Sequence, residues 1–275
     1  MKLFLEQILK GPYNFFTDKF FREFLKLTLF YGDVKRYEPK KINLLKHKIE
    51  VPDCLSFIWQ FKEIFVDGQY KFNCQIDNPI IYDCGSNIGL SLIYFKNLFP
   101  QSQIKAFEPN SYIMKFLKNN IRENKLDNIE LYEEAVWIHN DGVEFTDDKA
   151  DTASISESNG SRVKSIRLKS LIENENKIHF LKFDIEGAEV EVLKDCKSSL
   201  ENVENIFIEY HSFVNRKQEL DTILKILTES DFRYFMKPAV SKKYPFINKL
   251  NKNNPDMDFQ LNIFAYKENE NSSSK

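Results

Sequence analysis

The sequence is poor in cysteine and holds no arrangement of it that works in pairs. Cys54, Cys74, Cys84 and Cys196 are scattered, no Cys-x-x-Cys occurs, and the four histidines complete no zinc pattern. Zinc-stapled and dithiol-redox classes are thereby excluded, and a reducing, cytoplasmic setting is expected. Basic charge is not in excess either: 39 Lys and Arg stand against 41 Asp and Glu, for a net charge of −2 and a pI near 6.2. Nothing in that balance draws the chain onto nucleic acid, so no nucleic-acid partner is expected. No apolar run reaches the roughly 18 residues that a membrane span needs. The opening MKLFLEQILKGP is interrupted by Glu6 and lacks a small-residue cleavage site, so no signal peptide is expected. Internal repeats are absent as well.

What is present reads as a folded chain, 42% hydrophobic and 29% charged over 275 residues, enough for one large domain or a domain with an appendage. The pattern changes near residue 75. Before it, Phe16, Phe20, Phe24 and Leu27 recur at helical spacing within residues 13–30, with Phe21 and Leu25 widening the stripe. Residues 54–65 form a second apolar helical segment that stops before Asp67-Gly68, a turn signal. Residues 1–75 are therefore expected to be a helical cap over the acceptor side of the catalytic domain, with a homodimer through them as a secondary expectation. A membrane-surface anchor fits less well, because Asp18 and Glu23 dilute Lys19, Arg22 and Lys26 on the polar face.

From Pro79 to about residue 268, strands and helices alternate: PIIYDC, then IGLSLIYFKNLF, QIKAFEP, SYIMKFLKNNIRENK, NIELYEEAVW, FLKFDI, AEVEVLKDC, NIFIEYH and QELDTILKILTES. FRYFMK and DFQLNIFAYK close the series with no long helix between them. This alternation implies a doubly wound, mostly parallel α/β sheet with an antiparallel C-terminal edge pair. Residues 140–168 interrupt the rhythm as a polar excursion with short strand candidates. Residues 269–275 are expected to be a disordered tail.

Ligands of open α/β sheets bind beyond the carboxyl ends of the strands, and the informative residues fall there. The first strand runs into Asp83-Cys84-Gly85-Ser86-Asn87-Ile88-Gly89. Gly85 permits the sharp turn, and Gly89 is expected to let the next helix lie close to the sheet. The second strand ends in Glu108-Pro109, and Glu108 is placed to accept hydrogen bonds from both hydroxyls of a ribose. A nicotinamide dinucleotide prefers three glycines against its pyrophosphate. Two glycines and an opening acid suit a cofactor without phosphate that carries an ammonium and a sulfonium, which favours S-adenosylmethionine. Ala135 and Val136, at the end of the third strand, suit a flat adenine or ordinary core packing equally.

The fourth strand gives Lys182-Phe183-Asp184-Ile185-Glu186-Gly187-Ala188-Glu189. A lysine inside a buried strand needs a carboxylate partner, and Asp184 or Glu209 can provide it. Glu189 falls at a helix N-terminus, where a structural role suits it. His211, after Glu209-Tyr210, has the ordinary pKa range for proton transfer near neutrality.

The segments IIYDCGSNIG, IKAFEPN, RLKSLI, FLKFDIEGAEVEVL and IFIEYH together resemble the FkbM-type methyltransferases over about residues 60–215. That resemblance implies a class I methyltransferase fold, S-adenosylmethionine as donor, and O-methylation of a hydroxyl on a sugar or natural product. Asp83, Gly85, Asn87, Gly89 and Glu108 match the family's cofactor motif, and Asp184, Glu186 and Gly187 its active-site motif. The acceptor's proton is expected to leave to His211 or Glu186, with Asp184 orienting. Mg²⁺ on Asp184 and Glu209 is the alternative. An NAD-dependent sugar oxidoreductase and a catalytically silent interaction module are the rival readings. The missing third glycine and the lack of a Tyr-x-x-x-Lys pair weigh against the first, and the intact acids against the second.

Overall fold

Short apolar strands that cannot bury both faces alone are covered here by helices on either side. The computed structural model describes residues 15–145, 161–239, 242–249 and 257–268. The expected tail at 269–275, the start of the first expected helix and the middle of the polar excursion lie outside these described residues.

The chain enters through α1 (Lys19–Tyr31), whose start is set by Asp18: its carboxylate accepts from Phe20 and Phe21 N–H at 2.8 and 3.2 Å. Strands β1 (Lys40–Leu44) and β2 (His47–Val51) come next, then α2 (Cys54–Phe61), capped by Asp53 and continued by a π turn over Lys62–Val66. The helical cap expected before residue 75 is thus corrected to a mixed segment holding an antiparallel hairpin. Its signal is in the sequence: KKINL and HKIEV each bury alternate residues, a period of two.

The central sheet contains β3 (Ile80–Cys84), β4 (Gln103–Phe107), β5 (Ile129–Tyr132), β10 (Phe180–Phe183), β11 (Asn205–Phe213), β12 (Arg233–Pro238) and β13 (Met257–Tyr266), in the order β12-β13-β11-β10-β3-β4-β5. The pairs from β5 to β11 are parallel, and β13 runs antiparallel to both β11 and β12. This is the doubly wound architecture that the resemblance implies, with the expected antiparallel edge. Chain order reverses beside β3, which lies between β4 and β10, so a crevice opens at their carboxyl ends.

The small strands β6 (Ala135–Trp137), β7 (Val143–Phe145), β8 (Ser161–Val163) and β9 (Ser165–Arg167) form two separate two-stranded sheets. The single third strand expected through Val136 is corrected accordingly. Pairing with β4 ends at Tyr132, and Ala135 to Trp137 pair with β9 instead.

Helices α3 (Leu90–Leu98) and α4 (Ser111–Glu123) share one core with the N-terminal segment, while α5 (Leu168–Glu173), α6 (Glu189–Cys196) and α7 (Leu220–Glu229) cover the opposite face. Alternation along the strands sorts the side chains. Ile81, Phe180 and Phe207 enter the first core, and Tyr82, Leu181 and Ile208 enter the second. By the same parity Asp83, Lys182, Glu209 and His211 project on the face that the N-terminal segment covers. Among the described residues no helix is long and apolar enough to cross a membrane.

Candidate active site

Loop 85–89 is hooked onto the end of β4. Gly85 and Ser86 N–H both donate to Phe107 O, at 3.0 and 2.9 Å. Gly85 has φ +86°, and a Cβ there would lie 1.8 Å from Asp184 O, so no other residue permits this approach of two strand ends. At Gly89 the close neighbour is Leu117 of α4, 2.7 Å from an added Cβ. The tight packing expected there is helix against helix, not helix against sheet.

Glu108 is nearly buried at the end of β4, and its two oxygens accept from Asn87 N–H at 3.0 Å and Asn110 N–H at 2.9 Å. Burial pushes its carboxyl up to about 7, against these two hydrogen bonds. Pro109 joins it to Asn110, which caps α4 by accepting from Tyr112 and Ile113 N–H. Ser86 is buried, its hydroxyl donating to Asp83 O at 2.8 Å. The structure thus gathers Asp83, Gly85, Ser86, Asn87, Gly89, Glu108 and Pro109 around one strand–loop–helix junction. Ala135 and Val136 are buried in the small sheet beside it, not in the third strand of the main sheet.

Asp83 presents no surface at all. Ser91 donates to it at 2.5 Å, and Lys182 Nζ lies 3.3 Å away. Lys182 also faces Asp184 at 3.1 Å and donates to Gly85 O at 2.7 Å. Burial works against its ammonium, but Asp184 and Asp83 outweigh that and keep it charged well above the ordinary range. Of the two partners expected, Asp184 is present and Glu209 is not; the second carboxylate is Asp83, directly across from Lys182 because β3 and β10 are paired. Asp83 therefore holds Lys182 and loop 85–89, and offers no open face to an ammonium.

Beyond β10 the backbone takes two consecutive left-handed residues, Glu186 at φ +53° and Gly187 at +95°. A non-glycine residue held there is strained by about 1–3 kcal/mol, and such strain gathers at functional sites. The turn brings Glu186 Oε2 to 3.5 Å from His211 Nε2, and the other imidazole nitrogen, Nδ1, lies 2.9 Å from Glu189 Oε1. Glu189 also accepts from Gly187 N–H at 3.0 Å. Sequence reasoning undervalues Glu189. Its position at the helix start is legible, but the imidazole it holds is 22 residues away. β11 also continues to Phe213, past the end expected at His211, because β13 goes on pairing with it where β10 has stopped.

Burial opposes a proton on His211, yet Glu186 and Glu189 raise its pKa well above the ordinary value. Burial and Asp184 push the Glu209 carboxyl well up. Atoms of Asp184, Glu186 and His211 all lie within 4.8 Å of one another. This set of possible ligand atoms shares Asp184 with the pair expected for a metal and differs from it in Glu186 and His211.

The family profile described as the methyltransferase FkbM domain matches residues 83–234, more than half of the chain. The chain belongs to the FkbM methyltransferase family. Its match holds β3, the loop after it, Glu108, the Asp184–Glu189 segment and His211, so the site just described falls wholly inside the family domain. Methyltransferase sdnD of Sordaria araneosa is 27% identical over 206 residues, covering 60% of this chain and 79% of that protein. Methyltransferase 1 of Beauveria bassiana is 24% identical, covering 69% and 88%. The crystal structure of a methyltransferase FkbM from Methylobacillus flagellatus aligns with a TM-score of 0.47 at 17% identity, over 76% of this chain and 51% of its own. Family membership sets the oxidoreductase reading aside.

Proposed function

We propose that this FkbM-family methyltransferase takes its methyl group from S-adenosylmethionine and places it on a hydroxyl of a sugar in a glycan or of a natural product. The observation that carries the reading is the 2.9 Å contact between Glu189 and His211, which leaves the other nitrogen of a buried imidazole facing Glu186 beside Asp184. S-adenosylmethionine supplies a methyl on a sulfonium, an electrophile that needs no acid. A neutral hydroxyl is a weak nucleophile, so the protein must take its proton. His211 accepts that proton at Nε2, and Glu189 fixes the tautomer from Nδ1 and stabilises the imidazolium that forms. Asp184 and Glu186 orient the acceptor.

The cofactor residues fit a ribose. Each Glu108 oxygen accepts one backbone N–H, which leaves each a lone pair for a hydroxyl. Residues 76–268 are read as the catalytic domain and 1–75 as a segment covering its acceptor side.

A second reading gives Asp184, Glu186 and His211 a divalent cation such as Mg²⁺, since their ligand atoms converge. The Lys182 ammonium, 3.1 Å from Asp184, opposes it by direct repulsion.

The experiment combines calorimetry of S-adenosylmethionine with mass spectrometry of glycans and small molecules from cells with and without the active gene. Cofactor binding together with loss of one methyl group from a hydroxyl in the inactive cells is the expected result. Bound cofactor with no methylated product supports the silent module. Activity lost to a chelator and restored by Mg²⁺ supports the cation.

A further inference from the structure

The loop that joins β12 to β13 leaves the sheet at the end where the site lies. β13 runs antiparallel to both β11 and β12, so the carboxyl ends of β11 and β12 point the same way. Gln260 of β13 pairs with His211 on one side, and on the other its carbonyl accepts from Ala239 N–H at 3.1 Å. Ala239 therefore stands level with His211, two strands or about 10 Å away. Lys242 ties the loop back to the same place. It donates to Asp258 O, and the Asp258 carboxylate accepts from Ser212 Oγ at 3.3 Å, next to His211, and from Gln218 at 3.2 Å.

The composition of this stretch departs from the rest of the chain. Residues 232–255 hold no aspartate or glutamate and six cations, Arg233, Lys237, Lys242, Lys243, Lys249 and Lys252, in a protein whose net charge is −2. Its apolar side chains face outward. Ile247 and Asn248 N–H both donate to Tyr244 O, at 2.9 and 2.8 Å, with Tyr244 held at φ +55°. That turn puts Pro245 and Phe246 at its tip. Phe246 is 92% exposed, Ile247 79% and Tyr244 61%. Bare apolar residues clustered in this way mark an interaction site. Some of the cations are already engaged. Arg233 lies 3.3 Å from Glu268, Lys237 lies 3.9 Å from Asp67, and Lys242 also donates to Lys249 O at 2.5 Å. Lys243 and Lys249 are exposed, and among the described residues neither pairs with a carboxylate.

We propose that the β12–β13 loop docks the protein on an anionic lipid surface. Phe246 and Ile247 enter the headgroup region, Lys243 and Lys249 meet lipid phosphates, and the carboxyl end of the sheet turns toward the bilayer. Apolar side chains flanked by lysines, with no acid between them, have the composition of an interfacial anchor. Each lysine near an anionic leaflet strengthens binding roughly fivefold. That attraction acts within about 10 Å, so the acids elsewhere on the chain do not cancel it. The isoleucine beside the tip favours lipid over a nucleic acid, whose bases stack on aromatic faces. The docking does not depend on the methyl-transfer reading.

Sedimentation of the full chain with vesicles of phosphatidylcholine, alone or with about one third phosphatidylglycerol, reads the docking. The anionic vesicles should bind it at least about tenfold more tightly, and less so as salt rises. F246S/I247S and K243Q/K249Q should each weaken that binding by about tenfold or more. Both pairs lie on the surface, so melting curves that match wild type should show that the variants fold. F246W reports insertion separately, as the difference from wild type, which carries Trp59 and Trp137. Its added emission should move to shorter wavelength on anionic vesicles and be quenched by brominated lipid. Equal binding to the two kinds of vesicle overturns the proposal. Wild-type binding by F246S/I247S, or F246W emission that vesicles leave unchanged, overturns it too. So does either rival occupant. A dimer that dissociates in F246S/I247S assigns the loop to a second copy of this chain. A single-stranded oligonucleotide held as tightly as the vesicles assigns it to nucleic acid.

Discussion

Glu189 and His211 define the chemistry at the scale of single residues. A base must be deprotonated to work, and the His211 pKa is raised. Turnover should therefore climb with pH through a value above the ordinary histidine range, giving an alkaline acid limb. Glu189→Gln removes one of the anions that hold the proton on. The limb should shift to lower pH, while the maximum rate falls by about 100-fold as the orienting partner is lost. A pH–rate profile of both proteins checks this, and a limb that stays in place counts against His211 as the base. Glu108 makes the matching prediction for the cofactor. Its carboxyl, burial-raised to about 7, ionises across neutrality, so S-adenosylmethionine affinity should strengthen as pH rises through that value. Glu108→Ala should weaken binding roughly 10- to 100-fold, as expected when a charged hydrogen-bonding partner worth about 1.5–3 kcal/mol is removed. Isothermal calorimetry from pH 6 to 8 reads both effects.

Elements meet through a few polar side chains whose partners are far away in sequence. The β1–β2 hairpin is fixed to α4 by Asn120, which accepts from Glu50 N–H at 2.8 Å and donates to Glu50 O and Ile88 O at 3.0 and 2.9 Å. Asn124 repeats the arrangement one turn on, accepting from Lys48 N–H and donating to Lys48 O. Two side-chain amides thus pair with the backbone of β2 as a neighbouring strand would. Asn120→Leu leaves buried backbone groups without partners and should destabilise the fold by about 2–3 kcal/mol. Urea unfolding with an unchanged m-value would measure that. At the other junction, Gly85→Ala drives a methyl into Asp184 O from a backbone conformation that L-residues avoid. It should cost more than about 3 kcal/mol or separate the ends of β3 and β10. A melting temperature close to wild type, with cofactor binding intact, would show that the loop can give way.

On the scale of the whole molecule, the N-terminal segment and the sheet share one core. Leu27, Ile42, Ile49, Phe57 and Phe61 belong to the same cluster as Ile81, Phe95 and Phe207. Deleting residues 1–60 therefore strips one face of the sheet of apolar cover, at about 1.5–3 kcal/mol for each large side chain lost. The truncated chain should aggregate or unfold. A soluble, monomeric truncation that unfolds cooperatively would show the segment to be dispensable, and retention of full activity would also remove the segment from the acceptor side.

Local signals in the sequence determined much of this. Strand–helix alternation from Pro79, the two glycines after β3, the acid ending β4 and the acids after β10 are written over spans of a few residues. The backbone needs them there whatever the partner. The strand period of residues 40–51 is equally local, but the helical stripes on either side of it dominate the pattern. What only the tertiary structure decided is partnership. Lys182 met the expected Asp184 and, beside it, Asp83, because strand pairing put that aspartate opposite it. Glu189 became the holder of His211 through a helix start meeting a strand that β13 extends past its other neighbour. Residues 62–70 came to lie over the sheet through a π turn and the Gln69–Asn262 contact. Such pairings depend on the register of strands and the seating of helices, which are set by the packing of the whole core and leave no pattern in the neighbourhood of any one residue.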